Sequence, residues 1–483
     1  MFLRILKTTW AWLDARLGIS DLIVPMMTHR VPPDARWWYV FGSATLASFL
    51  LQVVTGVMLS FSYVPSSGDA YAALQHLSHD APFGRFLRGL HYFGASAMVL
   101  MVGIHALQVF LFGAYKFPRE LNWITGLLLM GLTLGMGFTG QILRWDQTAV
   151  WSVVVAAEQA GRAPLAGKWL ARFILGGGNV GGATLSRFFA LHVFVLPALI
   201  LALVGAHLHL VLRNGISEPP KPDAPVDPTT YRQDYAALLE KTGRPFWPDA
   251  AWRDVVFAGG MIVVVVLCAF LYGPPELGKP PDPSIIHADP RPDWYLLWYF
   301  AVLALLPPAA ENVFIVFAPL AVGVALLVLP LLFARGDRHF SRRPWAVASV
   351  LTLLVMVGAL WRAGEGSDWS PDFAAKPISQ KVVASTDPLV QHGAQLFFSK
   401  ACIHCHRIGN DGGRRGPNLT DVSERLTQEQ ITIRILNGAT NMPAFGNILK
   451  PQEMEALRAF LESRRRYVTS RQRAAESKTP GDK

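Results

Sequence analysis

Two stretches decide the fold: residues 88–105, RGLHYFGASAMVLMVGIH, and residues 187–207, RFFALHVFVLPALILALVGAH. Both continue into almost uncharged runs, long enough to cross a bilayer core as helices. Each carries two histidines, and ionisable side chains inside a span are sites of function by default. His91 and His105 are 14 residues apart; His192 and His207 are 15 apart. Fourteen residues is nearly four helical turns, so each pair shares a helix face, separated by a rise of about 21 Å. If the two helices run in the same direction, His91 and His192 lie at one depth and His105 and His207 at another. That is the arrangement for two bis-histidine sites, each clamping a planar iron porphyrin between helices. His209 lies two residues beyond His207 and faces elsewhere. Gly42 and Gly56 are 14 apart on one apolar run, as are Gly126 and Gly140 on another, and glycines at that spacing let flat macrocycles approach the backbone. Arg88, one turn before His91, is placed to neutralise haem propionates.

Working outward, seven apolar spans are predicted at about 38–60, 88–112, 122–143, 187–212, 254–272, 311–333 and 345–362. The predicted fold class is all-α: a polytopic membrane helical bundle with a C-terminal soluble α-helical domain. Charged residues are 16% of the 483-residue chain and apolar residues 52%, far from soluble composition. The net charge of +10 reads as arginine and lysine flanking the spans, not as nucleic-acid binding. Residues 1–37 form an N-terminal amphipathic surface segment, with Trp10, Trp12 and Leu13 set among Arg4, Lys7 and Arg16. Segments 144–186 and 294–307 read as loops with short helices. Arg335, Arg338, Arg342 and Arg343 follow the sixth span, and Lys116 and Arg119 the second. The positive-inside rule therefore puts the N-terminus in the cytoplasm and everything after residue 363 outside.

Further domains are predicted as a four-helix dihaem core at 38–217, a three-span half at 218–363, a linker at 364–385, a small soluble domain at 386–467 and a disordered tail at 468–483. In the soluble domain, Cys402-Ile-His-Cys405-His406 has the spacing for covalent haem attachment, with two thiols for the vinyl groups and a histidine for iron. Gly416-Pro417-Asn418-Leu419 and Met442 follow. Met442 is the better sixth ligand, because Met454 sits on the closing helix over 451–464. Cys268, alone in an apolar run, is a packing residue.

These residues resemble the cytochrome b family of Rieske/cytochrome b complexes across about residues 10–363. The resemblance is carried by Arg88-Gly-Leu-His91, Lys116-Phe-Pro-Arg-Glu-Leu121, Thr139-Gly-Gln-Ile-Leu-Arg-Trp-Asp-Gln147 and Arg187-Phe-Phe-Ala-Leu-His192. The 15-residue spacing and Arg213-Asn-Gly-Ile-Ser217 are similar to the chloroplast and cyanobacterial branch. The second half resembles that branch's subunit IV, fused here and without an eighth helix. Val40 stands where some members carry a cysteine for an extra haem, so none is implied. Residues 388–466 resemble a class I cytochrome c.

The family's quinol-site motif, Pro-Glu-Trp-Tyr, has its counterpart in Pro292-Asp293-Trp294-Tyr295. A carboxylate beside an apolar pocket is a suitable proton acceptor, Tyr295 can hydrogen-bond within the pocket, and Trp145-Asp146-Gln147 would line the opposite wall. Arg213 is the candidate for quinone reduction. The resemblance implies two haem b, one haem c, and quinol and quinone as substrates. It implies a Rieske iron–sulfur partner, a downstream cytochrome or oxidase, and a homodimer drawing on the quinone pool of a bacterial inner membrane.

Overall fold

The computed structural model describes residues 2–281, 292–365, 375–413, 416–438, 442, 445–446 and 449–464. The expected tail and the middle of the expected linker lie outside them. Seven helices are long and apolar enough to span a membrane: Phe41–Ser60, Gly84–Leu111, Glu120–Ile142, Gly182–Asn214, Phe246–Leu271, Ala310–Leu332 and Pro344–Gly364. Each overlaps a predicted span, and most extend it by a few residues.

The chain divides into two compact units, Met1–Pro280 with Pro307–Ala359, and Pro281–Leu306 with Leu360–Lys483. In the first, the first span packs along the second and the third along the fourth, while the fifth lies on the first two and the sixth on the third. Small residues permit these contacts: a Cβ on Gly89 of the second span would stand 3.0 Å from Ala269 Cβ of the fifth, the close approach expected of membrane helices. Outward faces are apolar, with Leu50, Val53, Val54 and Val57 exposed on the first span. The N-terminal segment forms Phe2–Leu17 and Ile19–Thr28, turned at Gly18, and Arg30–Val31 pairs antiparallel with Arg244–Pro245. The expected short helices after the third span are Gln147–Gly161 and Gly167–Leu175, packed on each other.

The basic residues at one end of the bundle do more than flank it. Lys116 Nζ donates to Phe333 O and Arg335 O at 2.7 and 2.6 Å. Arg119 donates to Gly215 O and Asn214 O at 2.8 and 3.1 Å. Arg343 donates to Phe110 O and Leu111 O at 3.1 and 3.3 Å. These carbonyls end the sixth, fourth and second spans, where the last turn has no intrahelical donors and the helix dipole favours a cation. All three cations are buried. Arg213, by contrast, is exposed.

The second unit has its own core. Helix Pro388–Ser399 crosses helix Pro451–Glu462 at Gly393, where a Cβ would fall 2.0 Å from Ala456 O. Phe397 and Phe460 meet at the crossing, with ring centroids 5.7 Å apart. The short apolar helix expected before the sixth span is present as Trp294–Leu305.

Candidate functional site

The second and fourth spans bring His91 and His192 opposite each other, with ring centroids 6.2 Å apart and planes at 75°. His105 and His207 stand within electrostatic reach of each other at the other depth. His209 is exposed. An iron bound between two imidazoles, at about 2 Å from each ring nitrogen, requires centroids roughly 6 Å apart, so the His91–His192 spacing fits an axial pair.

The four glycines are each matched to one histidine. The nearest atom to a Cβ at Gly42 would be His105 Cε1 at 3.3 Å; at Gly56, His91 Cε1 at 3.2 Å; at Gly126, His207 Cε1 at 3.6 Å; at Gly140, His192 Cε1 at 2.7 Å. Each glycine therefore leaves room for the Cε1 edge of one imidazole ring. Next to three of them stands a threonine. Thr55 Oγ1 lies 2.9 Å from His91 Nδ1, Thr125 Oγ1 2.8 Å from His207 Nδ1, and Thr139 Oγ1 3.0 Å from His192 Nδ1. Sequence reasoning missed these supports, though Thr-Gly at 55–56, 125–126 and 139–140 was there to read.

One turn beyond the His91–His192 pair are two arginines. Arg88 Nη1 donates to Ser78 Oγ, and its Nη2 lies 3.4 Å from Pro275 O. Arg144, four residues after Gly140, reaches Asp146 at 2.5 Å, while its Nε is buried without a hydrogen-bond partner. Asp146 is wholly buried; it accepts from Ala149 N and Gly278 N at 2.9 and 3.0 Å, so its carboxylate locks a loop to the start of a helix.

In the second unit, an apolar cavity is lined by Cys402, His406, Met442, Phe397, Leu457 and Arg434 among others. His406 Nδ1 lies 2.9 Å from Pro417 O, which turns Nε2 free for a metal. A Cβ on Gly416 would sit 2.6 Å from His406 Cε1, so the Gly416-Pro417 loop clamps the ring by both contacts. Burial pushes the Cys402 thiol up to about 12 and lowers His406, keeping the apolar cavity free of charge from either. Met454 packs against the core but does not line the cavity. Cys405 closes the Cys402–Cys405 helical turn. In the quinol-site motif, Tyr295 OH donates to Asp293 Oδ2 at 3.2 Å, and Trp298 Nε1 to Tyr295 O at 2.9 Å.

Facing histidines in a helical membrane bundle, together with a Cys-x-x-Cys-His turn on an apolar cavity, define a multi-pass membrane cytochrome with a c-type domain. The family model described as cytochrome b/b6/petB matches residues 26–215, and that of cytochrome c oxidase, cbb3-type, subunit III matches 388–461. Cytochrome b6 of Synechococcus sp. (strain RCC307) is 38% identical over 208 residues, 43% of this chain and 95% of that one. The menaquinol:cytochrome c reductase cytochrome b subunit of Geobacillus thermodenitrificans is 38% identical over 222 residues, 44% and 99% of the two chains. Cytochrome b of Rhodobacter capsulatus is 33% identical over 357 residues, 72% and 76%. A solved chain of a hyperthermophilic respiratory Complex III superposes with TM-score 0.62 at 26% identity, covering 81% of this chain and 95% of that one. The chain belongs to the cytochrome b family and carries a fused c-type cytochrome domain, which together imply haem b and haem c.

Proposed function

We propose that this chain is the cytochrome b–c fusion subunit of a quinol:cytochrome c oxidoreductase in a bacterial inner membrane. Quinol is oxidised near the outer face. One electron passes to a Rieske partner and on through the c-type domain to a downstream cytochrome or oxidase; the other crosses the membrane to reduce quinone near the inner face. Protons are released outside and taken up inside, and the complex works as a homodimer.

When bound, the haems supply one-electron carriers: two b-type across the membrane and one c-type outside. His91 and His192 hold the outer b haem, His105 and His207 the inner, within the 38–217 half. Arg88 and Arg144 take the outer propionates; Arg144 joins the reading because of its place above Gly140 and its unpartnered Nε. Cys402 and Cys405 would form the thioethers to haem c, and His406 and Met442 would hold its iron. A histidine–methionine pair favours the reduced iron more than two histidines do, which suits a terminal acceptor. Asp293 accepts a proton from quinol, and Tyr295 orients its carboxylate through the 3.2 Å bond. Pro292 and Trp294 shape the same segment, in the 218–363 half. Arg213, exposed at the inner end, is the candidate contact for quinone reduction. The N-terminus is cytoplasmic, and the domain at 386–467 is on the outer side.

The observation that carries this reading is the 6.2 Å separation of His91 and His192 on two spans. The test is a redox-difference spectrum with pyridine-haemochrome quantification on the purified chain. Two b haems per covalent c haem are expected. One b haem or none overturns the paired-histidine reading and the crossing of electrons with it.

A further inference from the structure

Three of the four intramembrane ligand histidines share a support that the fourth lacks. Thr55, Thr125 and Thr139 each precede the glycine on which their histidine ring rests. Each hydroxyl donates to the carbonyl four residues back: Thr55 to Leu51 at 2.7 Å, Thr125 to Leu121 at 2.9 Å, Thr139 to Gly135 at 2.9 Å. With that proton committed, the oxygen can only accept from the imidazole, at 2.8–3.0 Å. The ring is thereby fixed as the Nδ1–H tautomer, its Nε2 lone pair free for iron. The fourth position breaks the pattern. Phe41 precedes Gly42, and His105 Nδ1 is buried with no hydrogen-bond partner. His105 meets Gly42 through the same Cε1 edge as the others meet their glycines. Ser43, on the far side of Gly42, is engaged elsewhere: its Oγ lies 2.9 Å from Val40 O and 2.5 Å from Asp254 Oδ1.

An acceptor on a ligand's ring N–H makes the imidazole a stronger donor to the metal, which favours ferric over ferrous iron and lowers the reduction potential; second-shell hydrogen bonding is one of the levers a protein has on that potential. The His91–His192 site has two such acceptors and the His105–His207 site has one. We propose that this asymmetry sets the two b potentials apart: Thr55 and Thr139 hold the outer site the more reducing, and the missing hydroxyl at Phe41 leaves the inner site the more oxidising. The inference rests on the dihaem reading above.

The experiment is equilibrium redox potentiometry of the purified holoprotein, following the b absorption, for wild type and for Phe41→Thr, Phe41→Val, Thr55→Val and Thr139→Val. Valine is the shape of threonine without the hydroxyl, so Phe41→Val controls for loss of the ring, which stacks edge-on against Phe257 at 5.6 Å. Relative to Phe41→Val, Phe41→Thr is expected to shift the inner component down by about tenfold in its reduction equilibrium, about 59 mV for one electron, and to leave the outer component in place. Thr55→Val and Thr139→Val are expected to raise the other component by a similar amount. Haem content is counted first. Fewer than two b haems in the wild type overturns the dihaem reading. Two b haems, with Phe41→Thr indistinguishable from Phe41→Val or the threonine variants indistinguishable from wild type, overturn this inference alone. So does a shift of the same component by both sets.

Discussion

Gly140 leaves the least room of the four glycines that cradle the histidines. A methyl group there would stand 2.7 Å from His192 Cε1, against 3.6 Å for the same change at Gly126 and His207. In the proposed function, an imidazole tied to Thr139 on one side would be held by iron on the other and could not swing away from the new methyl. Gly140→Ala is therefore expected to lower the b content towards one haem per covalent c haem. Gly126→Ala adds only an ordinary van der Waals contact and is expected to keep two. Pyridine-haemochrome ratios of the two variants check the pair; equal haem content in both would mean the rings do not need the space the glycines leave.

At the scale of the helix, the unequal histidine spacings have a structural cause. The fourth span contains a π-turn over Leu191–Val195, with Leu196 N–H bonded back to Leu191 O. A π-turn is one residue inserted into an α-helix. It absorbs the fifteenth residue between His192 and His207, and so keeps both in phase with Gly126 and Gly140, which are 14 apart. The second span is unbroken α-helix from Gly84 to Leu111 and needs no such correction. Deleting Val195 is expected to restore a regular helix and keep two b haems; deleting Met98, between His91 and His105, turns one ligand about 100° off its face and is expected to lose one. Haem counts on both deletions decide it.

The seven spans and the face shared by each histidine pair were legible in the sequence because hydrophobic length and the 3.6-residue period are local properties. The π-turn was not, since the spacing alone does not say where an extra residue is stored. Nor was the capping by Lys116, Arg119 and Arg343, because the carbonyls they reach lie up to 233 positions away. Lys116 shows the consequence. Burial, and next Arg343 beside it, push its ammonium down from 10.5 to about 8. The unfolded chain therefore binds more protons than the folded one between about pH 8 and 10.5, and stability rises with pH across that window. Below it the strain of the buried charge is fully present. Lys116→Met removes that slope and leaves the carbonyls of Phe333 and Arg335 without their donor, at about 1–3 kcal/mol per unsatisfied group. Melting curves in detergent are expected to show the wild type's advantage over Lys116→Met growing from pH 7.5 to 10. An advantage constant with pH would mean that Lys116 is charged as readily folded as unfolded.

At the scale of the whole molecule, among the described residues, the hydrophobic core of the c-type domain shares no residue with the three buried clusters of the bundle. Among the described residues the c-type core draws its buried residues from Ile378 to Leu461, and the membrane bundle rests on contacts among the spans. Loss of covalent attachment in one need not disturb ligation in the other. Replacing Cys402 and Cys405 together by alanine is expected to abolish the covalent c absorption and leave two b haems in place. Steady-state transfer from quinol to an external cytochrome is expected to stop if, as proposed, its outer-side route passes through this domain. A single turnover remains open: with the Rieske partner present and oxidised, it takes one electron from a quinol and the b absorption rises by the other. Rapid-mixing absorbance of the variant complex with quinol measures both. Steady-state turnover at the wild-type rate would place the fused domain off the route, and b reduction of equal extent without the Rieske partner would show that the two electrons are not sent separate ways.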